Sequence, residues 1–390
     1  MRTYNHLTLD VETTTSNKGN PFDQTNKLCY VGLKDNILFD IEYTDTPYKE
    51  KLNEIQKEID KVETLVGFNI KFDLHWLKRY GINFSNKRIW DCQLVHFILS
   101  GQKDTYPSLN KVAKYYYLDS KIDTVAEEYW KNDIDTTEIP ADILMKYLEK
   151  DLELTEQIYQ KQLLEMNKKP HLIKLVSLHN QDLLVLQEME FNGLLFDEQW
   201  SEVLADEVDE QIGKLDKQLF EFHNCNDFKS NSNDHISAFL YGGIAKFRNR
   251  EINGLFKSGN KKGLPKYKWI ENQINFPKLI NPLKGSELKK EGYYSTDERT
   301  LRSLKGSKKA MEIINLLLTR SGLEKKVSTY YRGLVALIKN SNWKSGTIHG
   351  QLNQCVARTG RLSSSKPNLQ NFDGSIKGLF KSRYEETNNE

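Results

Sequence analysis

Residues 6–12, His-Leu-Thr-Leu-Asp-Val-Glu, alternate with a period of two, and that alternation constrains the chain more than any other stretch. A strand is predicted, with Leu7, Leu9 and Val11 on one face and Thr8, Asp10 and Glu12 on the other. Two carboxylates projecting the same way repel each other, and a cation between them relieves the repulsion. An apolar run, Thr64 to Phe68, predicts a buried strand, followed by a helix from about Lys71 to Tyr80 that Gly81 closes. Asp73 falls in the first turn of that helix. Tyr147 and Asp151, four apart in a helical stretch from about Ala141 past Ile158, share a face. Hard oxygen ligands without His or Cys suit Mg²⁺ or Mn²⁺ better than zinc. Taken singly, each acid has an ordinary explanation, as a solvated strand face, a first-turn acid at a helix dipole or a surface pair. Their order in strand, strand–helix and helix contexts points instead to one site for divalent cations and phosphodiester cleavage. Asp91, in Ile-Trp-Asp-Cys-Gln, is predicted as a helix N-cap, not a ligand.

The three segments resemble motifs I, II and III of the DEDDy 3′–5′ exonucleases, which have a ribonuclease-H-like α/β fold. The resemblance covers residues 1–165. It implies Asp10, Glu12 and Asp151 as ligands of the tighter of two metals. Asp10 would bridge to the second metal, Asp73 would hold that one through water, and Tyr147 would orient the attacking water. Asn69, four residues before Asp73, matches a family position near the bound strand.

The net charge of +2 hides an asymmetry: −7 over residues 1–165, −8 over 166–240 and +17 over 241–390. A basic block of that size beside a metal nuclease is expected to face a phosphate backbone. No apolar run is long enough to span a membrane, and the N-terminus lacks the apolar core of a signal peptide. Four scattered cysteines, none at metal-ligand or redox spacing, fit a reducing, cytoplasmic setting. No role is expected for the eight histidines.

After Asn167-Lys168-Lys169-Pro170 the pattern turns helical. Leu172 to Glu190 is apolar at helical spacing with Asn192-Gly193 as a stop, and a long amphipathic helix is predicted after Asp197. Residues 245–291 break the pattern with Gly, Asn, Pro and Lys around Phe247, Phe256, Tyr267 and Trp269. Two readings stand there, a mobile surface loop or a basic–aromatic grip on a strand. Helix is expected again from Asp297, and a strand over Thr347 to Gln354.

Thr359 to Asn371, Thr-Gly-Arg-Leu-Ser-Ser-Ser-Lys-Pro-Asn-Leu-Gln-Asn, closely resembles the stretch that opens the palm of family A DNA polymerases, the group of bacterial polymerase I and many phage replicases. Leu186 to Gly193 resembles the first thumb helix, Tyr294 to Glu298 the approach to later ones, and Lys325 to Tyr330 the helix that tracks the duplex. The resemblance implies a helical thumb over 166–345, with 245–291 as a basic insertion, and an incomplete palm over 346–390. It also implies primer–template contacts by Arg361, Asn368 and Gln370. The partners it implies are a single-stranded DNA 3′ end and a primer–template, in the host cytoplasm if the chain is phage-encoded. In that family a strand with the first polymerase metal-binding Asp would follow Phe380. The chain is therefore expected not to polymerise alone, and to be a truncated product or one completed by a second polymerase chain. Two other readings remain open: a non-catalytic DNA-binding scaffold and an RNA-trimming exonuclease. The acidic residues 385–390 are expected as a solvated terminus.

Overall fold

The alternating segment becomes the middle strand of a mixed five-stranded sheet. The computed structural model describes residues 5–34, 37–40, 48–120, 124–259 and 261–382, so the 385–390 end lies outside the described residues. Strands β1 (His6–Thr13), β2 (Leu28–Leu33), β3 (Ile37–Asp40), β4 (Thr64–Gly67) and β5 (Arg88–Asp91) lie in the order β3-β2-β1-β4-β5. β1 runs antiparallel to β2 and parallel to β4, and β5 runs parallel to β4. Helices α1 (Tyr48–Asp60), α2 (Lys71–Arg79), α3 (Cys92–Leu99), α4 (Leu109–Tyr115), α5 (Thr124–Glu128), α6 (Ala141–Lys168) and α7 (Ile173–Asn192) follow in chain order.

This is a ribonuclease-H-like α/β layer. Leu9, Val31, Leu65, Leu74, Trp76, Phe97 and Ile158 meet in one core. Each fully buried large apolar side chain contributes about 1.5–3 kcal/mol relative to exposure. α2 ends as predicted, with Gly81 at φ +82°, in the left-handed region glycine occupies without strain. α7 stops at Gly193, φ +64°. A Cβ there would meet Ile348 O and Thr347 Cγ2 at 2.9 Å, so only glycine allows so close an approach. None of the four cysteines is in a disulfide, and all four are buried.

The chain divides into two compact units: residues 1–198 with 334–390, and residues 199–333. The first also holds a three-stranded sheet in which β6 (Leu194–Phe196) pairs with Thr347–Ile348 and with Phe380–Lys381. The single strand expected over 347–354 is thus two, Thr347–Ile348 and Gln351–Asn353, because the second turns away to pair with Ser363–Ser365.

The second unit is helical apart from one long hairpin. Its helices are α8 (Glu198–His223), α9 (Asn233–Tyr241), α10 (Glu298–Ser303) and α11 (Lys308–Lys325), the last running into a π-helical turn over Lys326–Tyr331. Leu219, Phe239, Phe276, Ile313 and Leu317 form its core. Arg332 reaches Asp206 at 2.7 Å and Asp209 at 2.5 Å, acids on one face of α8. Residues 245–276 lie in a hairpin, while 277–291 lie in no named helix or strand. Strands β7 (Gly243–Leu255) and β8 (Pro265–Phe276) form an antiparallel hairpin, paired from Gly243–Phe276 to Leu255–Pro265. The alternations Phe-Arg-Asn-Arg-Glu-Ile and Lys-Tyr-Lys-Trp-Ile carry a strand period that the Gly and Asn content masks. Among the described residues no helix is long and apolar enough to cross a membrane.

Candidate active site

β1 and α6 bring the three outer acids together. One oxygen each of Asp10, Glu12 and Asp151 lies within 4.8 Å of the others, with Glu12 and Asp151 buried and Asp10 half-buried. Asp10 and Glu12 come from one face of β1, and Asp151 from the side of α6 that packs on it. The packing is fixed five residues further along α6, at Glu156. Its carboxylate accepts hydrogen bonds from His6 Nε2 at 3.1 Å, Thr8 Oγ1 at 2.5 Å and Lys34 Nζ at 3.1 Å. Burial works to raise the Glu156 pKa, but bonds from His6, Thr8, Gln160 and Lys34 outweigh it and hold the group far below the usual carboxylate range. Three carboxylates so close suit a hard divalent cation, and all their donor atoms are oxygen.

Asp73 approaches the same strand from α2. Its Oδ1 accepts the backbone N–H of Val11, the residue between Asp10 and Glu12, at 3.1 Å. Burial first, and then the negative charge of Asp10, raise its pKa well above the ordinary value, so Asp73 is Asp10's neighbour although it stands outside the close group of three. The opposite side of α2 is held by a buried clamp. Glu190 of α7 accepts Lys71 Nζ at 2.7 Å and the Leu352 N–H at 2.5 Å on one oxygen, and His75 Nε2 at 2.9 Å on the other. Gln187 Nε2 donates to His75 Nδ1 at 3.3 Å, and Lys71 also donates to Leu352 O at 2.6 Å. Burial raises the Glu190 pKa, yet His75 and Lys71 together keep it below the ordinary value. The sequence reading missed this clamp and gave His75 no role. Lys71 and His75 at i and i+4, flanking Asp73, were the one local sign of it.

Tyr147 lies one turn before Asp151 on α6, 3% exposed, with Trp130 edge-on at 5.4 Å between ring centres. Asp91 caps α3 as expected. Its side chain accepts the N–H groups of Gln93 at 2.8 Å, Leu94 at 3.1 Å and Asn69 at 3.2 Å, and burial raises its pKa to about 6. Asn69, exposed and at φ +58°, is thereby held by its backbone at the entry to α2.

The other three expected residues form a separate exposed group. Arg361 lies in the loop joining the strands Gln351–Asn353 and Ser363–Ser365. Asn368 caps the short turn Leu369–Asn371, and Gln370 Nε2 donates to Leu362 O at 3.0 Å. Gln370 thus braces the loop that carries Arg361, while the Asn368 side chain accepts Gln370 N–H within its own turn.

Two family models match this chain. One described as 3′–5′ exonuclease spans residues 2–167, and one described as DNA polymerase family A spans residues 271–387. The chain thus resembles DNA polymerases of family A. Similar proteins include DNA polymerase I of Synechocystis sp., 27% identical over 305 residues, and of Helicobacter pylori, 27% identical over 349. The thermostable DNA polymerase I of Thermus aquaticus is 29% identical over 188 residues. These alignments take in 78%, 88% and 48% of this chain but only 26%, 31% and 17% of the respective relatives. The chain therefore spans a third or less of their length. In fold it is similar to the polymerase domain of Pol1 from M. smegmatis, solved with primer–template DNA and dNTP. The TM-score is 0.62 at 16% identity, over 97% of this chain and 55% of that one. The chain thus carries a 3′–5′ exonuclease domain, a phosphodiester hydrolase by class.

Proposed function

We propose that the chain is a divalent-metal 3′–5′ exonuclease acting on DNA 3′ ends, the proofreading part of a family A polymerase. The observation that carries this reading is the meeting of Asp10, Glu12 and Asp151, with Asp73 beside Asp10. In this reading residues 1–165 form the exonuclease domain, 166–345 the thumb and 346–390 the opening of a palm. Asp10, Glu12 and Asp151 hold one Mg²⁺, and Asp10 with Asp73 holds a second; Mn²⁺ satisfies the same oxygen set. Bound there, the pair of ions supplies an activated water and neutralises charge on the leaving 3′-oxygen.

The chain's own residues do the positioning. Tyr147 holds the attacking water in line with the terminal phosphate. Asn69 steers the last nucleotides past the start of α2. Arg361 provides a charge-assisted bond to primer–template, with Asn368 and Gln370 at its side. The raised Asp73 pKa is that of the metal-free site; a dication beside it favours the ionised form.

The test uses purified chain, Mg²⁺ and a 5′-labelled primer–template with a mismatched 3′ end, beside Asp10→Ala and a matched RNA end. Stepwise shortening of DNA that the variant lacks supports the reading. Lengthening with dNTPs, with or without a second polymerase chain, reads out synthesis in the same assay. Tight binding without shortening would replace the reading with a DNA-binding scaffold, and preference for the RNA end with RNA trimming.

A further inference from the structure

We propose that the β7–β8 hairpin is a platform for single-stranded DNA, separate from the metal site. Only its root is packed. Ala245, Phe247 and Phe276 are buried in the core of the second unit, and Tyr293 Oη donates to Ile244 O at 2.6 Å. Beyond Phe247 the ribbon is nearly all exposed, including Trp269 at 63% and Tyr267 at 42%. An isolated two-stranded ribbon is marginal in water and gains from a ligand along one face.

The register says what that ligand is. Residues directly opposite one another share a face. Arg248 pairs with Glu271, Arg250 with Trp269 and Ile252 with Tyr267. One strand of that face therefore carries a row of cations, Lys246, Arg248 and Arg250, and the other strand carries the rings Trp269 and Tyr267. The opposite face, which starts with buried Ala245 and Phe247, offers no such row. A row of cations beside a row of rings takes phosphates on one side and bases on the other. Single strands present their bases for stacking; a duplex keeps its base faces stacked inside. Arg250 already lies 3.8 Å over the Tyr267 ring, and the exposed Arg248–Glu271 pair at 2.7 Å is weak enough to exchange for a phosphate. Residues 246–268 hold eight Lys or Arg against Glu251 alone, which fits a polyanion and disfavours an apolar protein surface.

The proposal is tested by anisotropy of a labelled oligothymidylate on the full chain in EDTA, which stops cleavage and makes the result independent of exonuclease activity. Trp269→Ala should weaken binding by between about 5- and 100-fold, and Trp269→Phe should restore most of it. Arg248→Ala with Arg250→Ala should flatten the log–log salt dependence by about 1.4. Glu271→Gln should tighten binding, and Asn272→Ala, on the other face, should leave it unchanged. Unchanged thermal melting would show that the root still packs in each variant. The proposal is overturned if duplex of the same sequence competes equally, if Asn272→Ala costs as much as Trp269→Ala, or if Trp269→Ala has no effect.

Discussion

Replacing Glu190 with alanine would remove the one carboxylate that faces three donors in the clamp behind α2. Lys71 would keep Leu352 O, and His75 would keep only the bond that Gln187 donates to its Nδ1. The Leu352 N–H, His75 Nε2–H and one N–H of the Lys71 ammonium would lose their acceptor. Breaking a buried charge pair from one side costs about 3–5 kcal/mol, and the stranded donors fall within that figure because they belong to the same network. Glu190→Gln keeps one carbonyl for Leu352 and Lys71 and should cost about half as much, 1.5–3 kcal/mol, the range for hydrogen bonds to a charged group. Native-state hydrogen exchange reads the loss where it occurs. Amides of α2 should exchange about 10²- to 10⁴-fold faster in Glu190→Ala, while those of α11, in the other unit, stay as they were. An acceleration of α2 below about tenfold would mean less than 1.4 kcal/mol at stake and would refute the clamp as what holds Asp73.

Three further outcomes follow from the same geometry. Asp10→Asn should melt at a higher temperature than wild type in EDTA, since it relieves like-charge crowding around Asp73, and should lose the Mg²⁺-induced stabilisation, which for one site at a hundred times Kd is about 2.7 kcal/mol; a melt titrated with Mg²⁺ checks both. Glu156 has a folded pKa below its unfolded value, so its contribution is fully present above about pH 4.5 and is lost as pH falls through the folded pKa. Urea midpoints from neutral pH into acid should therefore converge for wild type and Glu156→Gln. Arg361→Ala should weaken primer–template binding and lower its salt slope by about 0.9, with little effect on degradation of short single strands; equal loss on both substrates would show that residues 346–390 are not a duplex grip.

What was legible in the sequence was local and periodic. The 6–12 alternation, the Gly81 stop, the Asp91 cap and the i, i+4 relation of Tyr147 to Asp151 each depend on a few adjacent residues, and each matches the fold. What was not legible depends on partners far along the chain. Glu190 meets His75 across 115 residues, and Glu156 meets His6 across 150, so neither acid looks unlike a surface helix acid in its own neighbourhood. The hairpin at 243–276 escaped for another reason. Beyond the root its apolar residues, Ile252, Tyr267 and Trp269 on one face and Ile270 on the other, are mixed with charges, so no single hydrophobic face reveals the strands. The 347–354 segment looked like one strand because the bend at His349-Gly350 is set by which neighbour each half pairs with.

α6 runs unbroken for 28 residues and carries Tyr147 to Trp130, Asp151 to Asp10 and Glu12, Glu156 to His6 and Thr8, and Gln162 to Trp90 and the Cys92 carbonyl. Those attachments fix its phase. Inserting or deleting one residue between Asp151 and Glu156 would turn one end against the other by about 100°, so that either the carboxylate or its anchor faces away from β1. Seven residues, nearly two full turns, would restore the angle to within about 20° but displace the anchor along the helix axis. Length change along this part of the chain is therefore expected to be confined to loops such as 101–107, while α6 itself admits substitution only.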